Sequence, residues 1–299
     1  MQKAICLISF VLFLLTSGQS QTSQPAANLA VRKIAFEVSS EVSLGGFPFP
    51  KTDIFVRDSP NSKPKRLVEG IMPVLSPDGQ KLAFCTRERR GFGQVQLINT
   101  DGSGRRELTH LQGGACPTDW SPDGEKILSI AYGTSGPTIF VMGSDGGNLK
   151  QITPGFGARW SPDGKRLVFC RNAEGRGTSG SIWTSNSEGT DAAKVIDDNS
   201  NVLEVAWFPD GKNIVFSSER KDKRKSSLFR ISSDGSGLET IAVDKHLSLY
   251  FPVLSPDGTQ VVVDGIEDRE TNVVLLDLVN HHVKVLASGL HPSVLWDKP

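Results

Sequence analysis

One unit of sequence returns five times along the chain and limits what the chain can fold into. An apolar residue followed by Ser-Pro-Asp-Gly opens it at Leu75, Trp120, Trp160 and Leu254. Trp207 opens a variant with Phe208 in place of the serine. The anchors lie 45, 40, 47 and 47 residues apart. Each unit then reads alike. An apolar run follows the turn (KLAF, KILSI, RLVF, NIVF, QVVV), and after a polar stretch comes a second run (QVQLI, TIFVM, SIWTS, SLFRI, NVVLL). A small turn leads to a short third run (RRELT, LKQIT, AAKVI, LETIA, VKVLA).

The turn chemistry says what these runs are. Pro77 pre-sets the first corner of a type I turn, Asp78 accepts bonds from nearby amides, and Gly79 takes the left-handed conformation that closes a hairpin. The second turn uses Asp101-Gly102, Asp145-Gly146 and Asp234-Gly235, with Glu188-Gly189 in a fourth unit. A unit is therefore four strands, A to D, with A ending at Ser-Pro-Asp-Gly. Four strands in a repeat of this length make a propeller blade. Strand B is apolar on both sides: Leu167 and Phe169 alternate with Val168 and Cys170. Such a strand packs between two neighbouring sheets.

The chain ends set the blade count. Before Leu75, the segments RKIAFEVSS, TDIFVRDS and PKRLVEG read as strands B, C and D of a blade without its A strand. After the last unit, HPSVLWDKP supplies one strand, with Trp296 42 residues beyond Leu254. The expectation is an all-β, six-bladed propeller of four-stranded blades. The C-terminal strand, residues 292–298, completes the first blade beside Lys33–Val38. Closing the ring this way leaves no large unpaired sheet edge.

The first residues are a different material. Lys3 is the only charge before Arg32, residues 4–15 (AICLISFVLFLL) are apolar except for Ser9, and a small polar stretch follows. That order describes a secretory signal peptide cleaved near residues 18–21, and the run is short for a bilayer span. The expected organisation is a signal peptide at 1–20, a short linker at 21–30 and the propeller at 31–299. Three cysteines remain after cleavage, so at least one thiol is unpaired. Cys85 and Cys170 sit at equivalent strand B positions and read as small apolar core residues. With 33 basic and 33 acidic side chains, the chain lacks the basic surface that nucleic-acid binding demands.

The W-S-P-D-G-(K/R)-x-(L/I)-x-F unit resembles the repeat of the TolB-like propeller family, over about residues 31–299. The resemblance implies a periplasmic or secreted protein, a monomer, whose partner is a protein or peptide such as a Pal-like lipoprotein. It implies no cofactor. Members also carry an α/β domain ahead of the propeller. Only about ten residues separate the expected cleavage site from the first strand, so that domain's contacts do not transfer.

The five repeated carboxylates, Asp78, Asp123, Asp163, Asp210 and Asp257, read as structural turn residues. A catalytic pair needs two unlike environments, and five equivalent turns offer none. No G-x-S-x-G elbow is present: GTSGP and GTSGS do not match. No histidine stands in a compact metal motif. The sequence therefore assigns no catalytic residue and no metal site. The faces of the disc differ. The Ser-Pro-Asp-Gly and Asp-Gly turns are uniform, whereas the B–C loops and D–A links vary, and rigid scaffolds carry binding on such loops. Candidates for partner binding on that face are Phe47, Phe49, Arg87, Arg89, Arg90, Arg171, Arg176, Arg220 and Lys221 from B–C loops. His110, His246 and His291 join them from D–A links. The leading expectation is an exported, non-enzymatic interaction module. The alternative is a carbohydrate lyase or hydrolase with its site on the same face, which the convergence of those histidines with carboxylates would favour, and a third reading is a small-ligand or cation site in the central channel.

Overall fold

The computed structural model describes residues 30–44, 47–59, 61–88, 91–133, 136–172, 180–197, 201–219, 225–244, 246–267 and 270–297. They form six antiparallel four-stranded sheets. Blade 1 holds β1 (Val31–Leu44), β2 (Phe47–Arg57) and β3 (Lys65–Glu69). Blade 2 is β4 (Ile71–Leu75), β5 (Lys81–Glu88), β6 (Gly91–Asn99) and β7 (Arg106–Glu107). Blade 3 is β8 (Ala115–Trp120), β9 (Lys126–Gly133), β10 (Gly136–Gly143) and β11 (Lys150–Pro154). Blade 4 is β12 (Phe156–Trp160), β13 (Arg166–Asn172), β14 (Gly180–Asn186) and β15 (Ala193–Asp197). Blade 5 is β16 (Asn201–Trp207), β17 (Asn213–Glu219), β18 (Ser227–Ser232) and β19 (Glu239–Ala242). Blade 6 is β20 (Ser248–Leu254), β21 (Gln260–Glu267), β22 (Glu270–Asp277) and β23 (Val283–Ser288). The last strand, β24 (Leu290–Trp296), is the inner strand of blade 1, in the order β24-β1-β2-β3.

The repeated turn works as its residues dictate. Ser76 Oγ donates to Asp78 Oδ1 at 2.5 Å, Gln80 N–H donates to the same oxygen at 2.9 Å, and Lys81 N–H donates to Ser76 Oγ at 2.9 Å. The same serine–aspartate bond recurs at Ser121–Asp123, Ser161–Asp163 and Ser255–Asp257. Where Phe208 replaces the serine, Asp210 instead accepts from Lys212 N–H and Asn213 N–H. These hydrogen bonds hold all five carboxylates below the usual range.

Apolar residues gather between the blades. Six clusters lie one at each blade–blade interface. Strand β13 shows why: Leu167 and Phe169 face blade 3, while Val168 and Cys170 face blade 5. Burying both faces of every second strand makes each interface a core layer, stabilised by roughly 25 cal/mol per Å² of apolar surface removed from water.

Two details depart from the sequence reading. Val294, not Trp296, takes the anchor position of the closing strand: it pairs with Ile34 as Leu75 pairs with Leu82. The Pro-Val-Leu of Pro73–Leu75 and Pro252–Leu254 aligns with Pro292–Val294, so Trp296 lies two residues further on and is only half-buried. Cys85 is not a free core thiol. It is bonded to Cys116, which joins strand β5 of blade 2 to strand β8 of blade 3. Blade-to-blade packing brings the two together although no short spacing announces it. Cys170 remains free and buried.

Candidate functional site

The inner strands β24, β4, β8, β12, β16 and β20 ring the central channel. Three residues before the anchor, the repeat places Met72, Pro117, Gly157, Glu204, Phe251 and His291. All six line one cavity of about 490 Å³. Four of them hold left-handed backbone: Met72 (φ 54°), Gly157 (φ 61°), Phe251 (φ 51°) and His291 (φ 51°). A glycine takes this conformation freely. For Met, Phe and His it costs on the order of 1 kcal/mol or more each. The register of the inner strands shifts at these points, between Ile71 and Val74, Phe156 and Arg159, and Tyr250 and Val253. The bulge aims one side chain of each strand at the channel.

Charge is concentrated on this wall. Nδ1 of His291 lies 2.8 Å from Glu37 Oε1, which also accepts the Met72 N–H. The His291 N–H donates to Asp264 Oδ2 at 3.1 Å, and the ring meets Phe251 edge-on at 4.3 Å. Burial alone would lower the His291 pKa, but Glu37, Asp264 and Glu204 raise it to about 9. Burial raises Asp264 to about 7 against the pull of His291, and its Oδ1 has no hydrogen-bond partner. Asp119 accepts the Trp160 N–H at 2.8 Å, and burial raises it to about 6 against the pull of Arg159. Burial likewise pushes Glu204 up, opposed by Arg159 and His291. Arg159 lies 4.0 Å from Glu204 and donates to the Thr118 carbonyl. Tyr132, exposed at 40%, stacks on Phe92 with centroids 5.0 Å apart and lines the same cavity, as does Phe156.

The candidate residues read from sequence distribute differently. His291 lies within strand β24 rather than in a link between blades, which is why it enters the channel. His110 and His246 are exposed and pair with Glu107 at 3.0 Å and Glu267 at 3.2 Å, so the three histidines do not converge. Arg171 is no free loop group. Its guanidinium lies 4.3 Å over Trp183 and donates to the Pro154 carbonyl and to Thr153 Oγ1, bracing blade 4. Arg87 is exposed at the end of β5. Phe47 and Phe49 lie in β2, and the placement of their side chains falls outside the described residues, as do Arg89, Arg90, Arg176, Arg220 and Lys221. Among the described residues no group of three or more His, Cys, Asp and Glu side chains is disposed to hold a metal.

His291 was a candidate in the sequence, whereas Glu37, Asp264 and Glu204 went unread, yet each of these acids had a signal. Glu37 and Asp264 occupy the strand B position held elsewhere by Cys85 and Cys170, an acid where the repeat wants an apolar group. Glu204 stands where the other inner strands carry Met72, Pro117, Gly157 or Phe251.

The architecture and its channel define a six-bladed β-propeller closed by its C-terminal strand, with a polar, aromatic-rimmed central cavity. Residues 154–294 match the family model described as the TolB beta propeller domain. The Tol-Pal system protein TolB of Alcanivorax borkumensis is 24% identical over 164 residues, 52% of this chain and 38% of that protein. The crystal structure of TolB from Acinetobacter baumannii superposes with a TM-score of 0.69 at 21% identity, covering 88% of this chain and 66% of that one. An oligogalacturonate lyase solved with manganese matches with a TM-score of 0.55 at 14% identity, over 84% of this chain and 74% of that one. Over residues 154–294 the chain resembles the TolB propeller, and its described residues take the same fold. It spans less than half the length of the first curated relatives it matches. Among the described residues no helix is long and apolar enough to cross a membrane.

Proposed function

We propose that the chain is an exported, non-enzymatic interaction module that binds a protein or peptide partner over the mouth of its channel. In this reading residues 1–20 are a cleaved signal peptide and residues 31–299 the working propeller. The observation that carries it is the cavity itself: six equivalent positions of a repeat, all different, converge on one aromatic-rimmed opening. Rigid scaffolds that diversify one position around a pore present a recognition surface. The Cys85–Cys116 disulfide supports an oxidising compartment outside the cytosol. Similarity to the Tol-Pal system protein makes a Pal-like lipoprotein of the same cell the first partner to test. The test is calorimetric titration of the propeller with the soluble domain of that lipoprotein. Wild type is expected to bind, and Tyr132→Ala on the rim to weaken binding by about tenfold. No binding would count against this reading.

A second reading, a lyase or hydrolase acting on carbohydrate, draws on the half-buried Asp119 and the buried Asp264, acids at the channel with pKa values raised to about 6 and 7. Both already serve backbone N–H groups of the inner strands, Asp119 that of Trp160 and Asp264 that of His291. That use accounts for their place in the wall. Turnover of an oligogalacturonide, lost in Asp264→Asn, would restore this reading.

A further inference from the structure

The charges in and directly behind the channel wall do not balance. Four acids, Glu37, Asp119, Glu204 and Asp264, face two cations, Arg159 and His291. His291 is held between Glu37 and Asp264. Arg159 is committed to the Thr118 carbonyl, between Asp119 and Glu204. Two acids exceed the cations, but Glu37, Asp119 and Asp264 each accept a backbone N–H, and Glu204, which lines the cavity, is the one that does not. Its side chain is 12% exposed, Arg159 comes no nearer than 4.0 Å, and among the described residues its carboxylate accepts no hydrogen bond. A carboxylate desolvated to this degree without a bonded partner is costly unless a ligand completes it.

Three further observations point to an occupant. Thr118 lines the same cavity, is 7% exposed, and its Oγ1 has no hydrogen-bond partner. Gly157 stands against Glu204, and a Cβ there would lie 3.3 Å from Oε2, so any larger residue would press on the carboxylate. Phe156, Phe251 and Tyr132 line the same space with aromatic rings, which attract cations through their faces.

We propose that the channel receives one organic cation, an alkyl guanidinium or ammonium group, with Glu204 as its counter-ion and the aromatic rings as its sleeve. The cation would neutralise Glu204 and stand against the aromatic faces. A cavity of about 490 Å³ holds an arginine or lysine side chain with part of its backbone. This inference rests on the channel being a binding site, and it names the chemistry that the site reads.

The test is calorimetric titration of the full chain with N-acetyl-arginine amide, with its neutral isostere N-acetyl-citrulline amide, and with calcium chloride. The arginine compound is expected to bind at least about tenfold more tightly than citrulline, with Glu204→Gln erasing the difference. Tyr132→Leu, on the exposed rim and outside the buried wall, should weaken arginine binding about threefold or more while preserving the preference over citrulline. Equal binding of the two amides, absence of binding at millimolar concentration, or a preference that survives Glu204→Gln overturns the proposal. Calcium binding lost in Glu204→Gln, without an arginine preference, overturns it in favour of a metal site. A propeller that ignores the lipoprotein domain yet prefers arginine to citrulline refutes only the partner reading. The reverse result refutes only this one.

Discussion

The two ends of the inner strands obey opposite rules. At the turn end, four blades make the same serine–aspartate bond at 2.5–2.6 Å, and the fifth rebuilds it with asparagine. At the channel end, three residues before the anchor, six blades carry six different side chains. The backbone is the same repeat throughout, so the difference is not one of scaffold. Uniform positions are those where the fold needs one solution to a local problem. Varied positions are those where the fold has no requirement, and there the chain places strained backbone, the acid Glu204 and the histidine His291.

The harshest way to break this comparison is to leave every repeated turn intact and remove the strand that closes the ring. Deleting residues 291–299 takes away Val294, which is buried, and His291 with both its acidic partners' bonds. It also bares the edge of β1. The loss is on the order of several kcal/mol, comparable with the whole stability of a typical domain. The truncated protein is expected to be insoluble or to melt far below wild type in a thermal scan. Full solubility and an unchanged Tm would show that the turns alone hold the ring.

Next in size is the covalent link beside the channel. Replacing Cys85 and Cys116 by serine opens a link across 31 residues. That change is expected to cost about 2–4 kcal/mol in urea unfolding. A reductant should lower wild type toward the variant and leave the variant unchanged.

His291 gives a pH signature that the turns cannot give. His291 is raised to about 9 in the folded protein and titrates near 6.5 unfolded. The folded state therefore holds the proton more tightly, and the stability it adds is complete below about pH 6.5 and lost as pH rises through about 9. Asp264, raised to about 7, acts with the same sign at lower pH, its stability fading between about 4 and 7. Unfolding free energy is expected to fall from pH 6.5 to 9 by on the order of 2 kcal/mol, and His291→Gln should flatten that limb. A limb unchanged in the variant would assign the proton elsewhere.

Smaller effects complete the series. Trp296→Ala, at a half-buried site beyond the anchor, should cost about 1–2 kcal/mol, below the range for fully buried aromatics. Asp78→Ala removes one turn's bonds and should cost about 1 kcal/mol while leaving partner binding untouched. A turn variant that abolished binding would erase the division between the two ends.

The fold was legible because its signals are local and repeated. Proline, aspartate and glycine fix each turn, and two-sided apolar runs fix the second strand of each blade. The six-blade count followed from two incomplete ends. The anchor of the closing strand was misplaced by two residues because Trp296 has the right chemistry and Pro292 carries the right register. The site was mostly illegible. Charged loop residues such as Arg87 draw the eye, whereas Glu37, Glu204 and Asp264 hide inside strands and acquire meaning only when six strands meet. Arg171 shows the opposite error: an arginine beside a loop, spent on holding a tryptophan. The disulfide joins strands of two different blades, which no spacing rule reveals.

The closing strand also imposes a schedule. Ile34 must wait for Val294, its partner 260 residues later in the chain. At about 5–20 residues per second, a ribosome takes roughly 13–50 s to supply it. Throughout that interval the earliest blade stands unsealed, with the inner edge of β1 open to any extended segment nearby. Strand β24 ends the exposure, so the ring's vulnerability is concentrated in the time before that strand arrives.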